Sequence, residues 1–77
     1  METVEKVKLV LQSTVRDDYN RLMIPDEFVE LFFRGDPEVK VIREKAQKAV
    51  DMVNEAEEKN DIEFLHRDFE TDVYLTL

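Results

Sequence analysis

Without a cysteine, the chain can form neither a disulfide nor a thiolate metal site, and it offers no thiolate nucleophile. A small domain lacking such staples fits a reducing compartment, so we expect a cytoplasmic protein. The lone glycine, Gly35, cannot build either common phosphate-cradling loop, because both need several glycines. The single serine, Ser13, and the single histidine, His66, stand in no nucleophile-elbow motif, which leaves Ser-His-Asp hydrolysis without its parts. No apolar run approaches the roughly 20 residues of a membrane span. The opening "METVEKVKLV" also lacks the basic patch and apolar stretch of a signal peptide.

What is present bounds the class. The 77 residues make one domain, 1–77. A chain this short buries only about 60% of its unfolded surface, and self-association is the staple left open to it. Hydrophobic residues at 43% suffice for a core despite 39% charged residues. The formal net charge is −8, unevenly spread: residues 1–24 are neutral, residues 25–60 carry −4 and the last seventeen another −4. Such a field repels nucleic acid backbone and anionic membranes, so neither is expected as a direct partner.

Residues 6–15, "KVKLVLQSTV", alternate: Val7, Leu9, Leu11 and Val15 share one face, opposite Lys6, Lys8, Gln12 and Thr14 with Val10. That period of two predicts a half-buried strand, although Val4, Val7 and Leu11 also fall at helical spacing. "RDDYN" (16–20) is turn-like, and "LMI" (22–24) reads as a short second strand or a lead-in to a helix.

From Pro25 the period changes to that of a helix running to Arg34, with Asp26 and Glu27 at its positive end. Next stands Arg34-Gly35-Asp36, a tripeptide that can act as an adhesion signal. Each of the three residues from Gly35 has a local task, however: Gly35 can take the left-handed conformation that closes a helix, Asp36 can cap the next one, and Pro37 suits a first turn. A helix stop followed by a helix start is the expectation. The second helix, about 37–59, carries Val39, Ile42, Ala46, Ala49, Val53 and Ala56 at steps of three and four, widened by Val41, Val50 and Met52. This seam is too short and too rich in alanine for a free coiled coil and predicts core packing. Asn60 can close the helix in the left-handed region. The final residues alternate again, with Phe69, Thr71, Val73, Leu75 and Leu77 opposite Asp68, Glu70, Asp72, Tyr74 and Thr76. The expected fold is α+β, a small sheet of two or three strands packed on a helical hairpin in the order β-α-α-β(β), with an all-α chain ending in a strand as the alternative.

Little catalytic chemistry is offered. Glu63-Phe64-Leu65-His66 matches Glu-x-x-His, but di-iron sites need two such pairs, and the segment reads as extended, which would point the two ligands to opposite sides. No cofactor, metal or catalytic residue is therefore expected. The strongest anomaly lies at Phe28, Val29, Leu31, Phe32 and Phe33, whose apolar arc spans about 200° of helix, twice the usual stripe. Either the helix is sandwiched within the fold or Phe33 with a neighbour forms a patch for association. A second feature is the row Asp68, Glu70 and Asp72, which could mimic phosphates or simply protect a strand edge. We expect a non-enzymatic acidic protein acting through protein contacts, as a homodimer, a small subunit or a regulator. The alternatives are an acidic mimic of nucleic acid that inhibits a nucleic-acid-binding protein and, more remotely, a metal-dependent enzyme assembled across a dimer.

Overall fold

The stretch expected as the first strand is a helix. A computed structural model describes residues 2–66, and within them the order is α1 (Thr3–Gln12), β1 (Val15–Arg16), β2 (Leu22–Met23), α2 (Asp26–Phe32), α3 (Val39–Glu58) and α4 (Ile62–Leu65). The molecule is α+β, as its sequence implies, but the expected β-α-α-β order gives way to a helix followed by a hairpin of two short antiparallel strands. The pairing sets Val15 opposite Met23 and Arg16 opposite Leu22. The expected C-terminal strand lies outside the described residues.

Burial explains why α1 is not a strand. Val7, Val10 and Leu11 are buried, the i, i+3, i+4 stripe of a helix, whereas alternation would have put Val10 in water. The β-branched preference for strands is weak beside tertiary packing. Here α1 lies on α3, and its valines share one core with Ala46 and Ala49. Ser13 and Thr14 end α1 by donating their hydroxyls to the carbonyls of Leu9 and Leu11, both at 2.9 Å.

The α3 seam behaves as its spacing predicts. Ile42, Ala46, Ala49, Val53 and Ala56 are buried and Val39 is half-buried; Val50 joins the core, while Val41 faces water. Asn60, at φ 54°, closes α3 with the amide of Asp61 donating to the Ala56 carbonyl at 2.8 Å and its own to Glu57 at 3.2 Å. Those are the paired bonds of a Schellman motif. At the other end, Gly35 has φ 78°, and the Asp36 carboxylate accepts from the Glu38 amide at 2.8 Å. The tripeptide Arg34-Gly35-Asp36 thus forms the stop and start expected of it. Nothing lies within 4 Å of where a Cβ on Gly35 would sit, so backbone conformation alone asks for glycine there.

An ionic clamp ties this turn to α1. The Lys6 ammonium donates to Asp36 at 2.7 Å and to Glu38 at 3.3 Å, and the Thr3 hydroxyl donates to Glu38. The hydrogen bond from Lys6, then that from the Glu38 amide, holds the Asp36 carboxyl below its usual range. The Thr3 hydroxyl and then Lys6 do the same for Glu38, while Lys6 is raised, chiefly by Asp36. Carboxylates with lowered folded pKa values stabilise fully above their unfolded values, near pH 4, and lose that contribution as pH falls through the folded ones. The raised lysine contributes below about pH 10.4 and is lost above it. We therefore expect Lys6→Met to lower the urea midpoint by a constant amount between about pH 5 and pH 9. The gap from the parent protein should close as pH drops below about 4.

Candidate interaction surface

The site is built on α2, a seven-residue helix entered through Pro25 and closed by the turn at 33–36. A short helix between two fixed turns cannot rotate freely, so its docking on the core decides which apolar residues are spent there. Val29 and Phe33 face the core, with Phe33 only 5% exposed. Phe28 is half-buried against the same core. Leu31 and Phe32 are left outside, 76% and 54% exposed. Of the five residues singled out from the sequence, two therefore belong to the interior, one straddles the boundary, and two stand in water. In particular, Phe33 is core and is not the exposed end of the arc.

Of the two exposed side chains, Phe32 is held by neighbouring rings. The Phe32 ring stacks on Phe28 with centroids 5.3 Å apart and meets Phe33 edge to face at 5.0 Å. Both separations lie within the favourable range for aromatic pairs. An apolar side chain already fixed in place loses little freedom when something covers it.

Beside this ridge runs an open groove of about 670 Å³, lined by Glu27, Glu30, Leu31, Phe33, Arg34, Gly35, Val39 and Arg43. Its apolar floor is bordered by two carboxylates and two guanidinium groups. Arg43 lies 3.7 Å from Asp26. Arg16 and Arg21 are likewise paired, with Glu57 at 2.8 Å and Glu58 at 2.7 Å. Arg34, by contrast, makes no ion pair among the described residues, and neither do Glu27 and Glu30.

Two features went unforeseen in the sequence. Asn54, buried at 5% exposure on α3, accepts from the Leu22 amide at 2.8 Å and donates to the Leu22 carbonyl at 3.0 Å. It replaces the strand partner that the outer side of β2 would otherwise lack. A forked pair from Arg16 to Glu57, at 2.8 and 3.1 Å, fastens the other strand. The signal for Asn54 was its place one turn after Val50 and next to Val53, a poor helix former inside an apolar seam.

Residues 62–65 form the helical turn α4 rather than an extended segment, capped by the Asp61 carboxylate accepting from Phe64 at 3.1 Å. His66 ends that turn. Among the described residues, no group of three or more histidine, aspartate and glutamate side chains could hold a metal ion. Nor is any described helix long and apolar enough to cross a membrane. The acidic row Asp68, Glu70 and Asp72 lies outside the described residues. Comparison with known proteins returned no matching family model, no similar curated protein and no similar solved structure.

Proposed function

We propose that this chain acts through contact with another protein surface, without catalysis of its own, and that the exposed face of α2 is the contact. The observation that carries this reading is Leu31 and Phe32 standing in water on a helix whose Val29 is buried and whose Phe28 is half-buried. Isolated exposed apolar side chains are ordinary. Two adjacent ones, Phe32 stacked on Phe28 and Leu31 bordering a charged groove, match the general design of an interface with an apolar centre and a polar rim.

The test is the double variant Leu31→Glu/Phe32→Glu. Leu31 is exposed, but Phe32→Glu removes the ring contacts with Phe28 and Phe33, so we expect a loss of about 1–3 kcal/mol with the fold retained, as circular dichroism should show. Light scattering across a concentration series, together with parallel capture from extracts on parent and variant baits, reads association. Association present with the parent and absent with the folded variant supports the proposal. Identical behaviour of the two proteins in both assays contradicts it.

A further inference from the structure

We propose that the surface covering the α2 ridge is a second copy of this chain, docked antiparallel across a two-fold axis level with residues 30 and 31. This rests on the ridge being a contact surface and goes on to identify its occupant. The charges that border the ridge select this occupant. Glu27 and Arg34 line the same groove as Leu31, so they lie on one flank of the ridge. They are seven positions apart in sequence, Glu27 in the first turn of α2 and Arg34 in the turn that closes it, with the sequence midpoint between residues 30 and 31. Neither has an ion-pair partner among the described residues.

A two-fold axis at that midpoint, lying in the interface and perpendicular to α2, reverses the helix direction while keeping each flank on its own side. Glu27 of one copy then meets Arg34 of the other, twice by symmetry. Leu31 meets its own copy near the axis, and Phe32 comes within one residue, about 1.5 Å of rise, of the level of the partner's Phe28. Such self-complementarity is what a two-fold interface requires, since every contact is made in duplicate by one surface. A parallel two-fold, with its axis along α2, would instead carry the two charged flanks to opposite sides and leave Glu27 and Arg34 without an opposite charge across the interface.

Two quantities temper the affinity. A standard interface covers about 800 Å² per partner. The accessible surface here is 5450 Å², and a seven-residue helix with its flank supplies less than that standard. The net charge of −8 on each copy also opposes approach at long range. At 0.15 M salt the screening length is about 8 Å, short enough to weaken that repulsion while adjacent pairs persist. Weak dimerisation in the micromolar range is the expectation.

The experiment is a charge exchange read by sedimentation equilibrium at physiological salt. Glu27→Arg alone and Arg34→Glu alone should each raise the dimer dissociation constant about tenfold or more, because each places two like-charge contacts in the homodimer. Mixing those two variants restores both opposite-charge contacts and should recover the parent affinity within about threefold, as should the double variant Glu27→Arg/Arg34→Glu. Arg34→Gln, which removes the charge without reversing it, should fall between. A parent that stays monomeric to the highest attainable concentration overturns the second copy as occupant, while patch-dependent capture of a different protein would leave the ridge itself standing. A dimer dissolved by Leu31→Glu/Phe32→Glu but not rescued by mixing overturns the antiparallel register alone. A dimer untouched by that ridge variant removes the contact reading with it.

Discussion

Ile42→Ala should lower the unfolding free energy by about 3 kcal/mol, within the range measured for truncating buried isoleucine. Among the described residues Ile42 is the largest side chain with no accessible surface, and it belongs to the core in which α1, α2 and α3 meet. Its neighbours there include Ala46 and Ala49, which have no side-chain length with which to fill the gap. Collapse around the cavity is therefore limited, and the cost should lie above the transfer energy of the lost methyl groups alone. For a chain of 77 residues, total stability is on the order of 4–12 kcal/mol, so this single change removes a large fraction of it. Thermal denaturation should show the midpoint falling by roughly 12–24 °C. A shift of only one or two degrees would mean that the α1–α3 interface is looser than its burial indicates.

Asn54→Ala should cost about 2–3 kcal/mol, for a different reason. The side chain of Asn54 satisfies both backbone groups of Leu22, at 2.8 and 3.0 Å, from a position on α3 that is itself buried. Alanine removes no large apolar volume. It leaves an amide and a carbonyl facing the helix without partners, and their desolvation is what the variant suffers. The loss should also be local. Amide exchange at Leu22 should accelerate far more than at Val50 or Val53, since the hairpin is then held on α3 by the partial burial of Leu22 and by the exposed pairs of Arg16 with Glu57 and Arg21 with Glu58. Uniform acceleration across α3 would instead make Asn54 a general core residue. Asn54→Leu, similar in size but without polar atoms, should not recover the loss.

These two positions also mark how far the sequence could be read. Ile42 stood in a seam of threes and fours that only a helix satisfies, and the whole of that seam lies in or against the core. Gly35 and Asn60 were legible because a backbone with positive φ restricts the residue types that can occupy it. Residues 6–15 misled because their valines and leucines fit both periods. The choice between the periods was made by α3, more than thirty residues further along, through Ala46 and Ala49. Asn54 was hidden for a related reason, its partners being backbone atoms of a strand two residues long.

On α2 the sequence showed an excess of apolar residues but not its orientation. The apolar arc of about 200°, from Leu31 round to Phe33, left open whether the helix was sandwiched or kept one edge wet. Which edge stayed wet depended on the turn at Gly35 and on the Lys6 clamp to Asp36, both of which fix how the helix meets α3. Phe33 went inward, and Leu31 with Phe32 stayed out.

The most direct test of the contact assigned to α2 is a series of amide and aromatic NMR spectra recorded as the protein is concentrated from micromolar to millimolar. We expect shifts that grow with concentration at Glu27, Phe28, Leu31, Phe32 and Arg34, with α1 and the centre of α3 unmoved. Shifts confined to other surfaces, or spectra unchanged over the whole range, would contradict self-association through this helix.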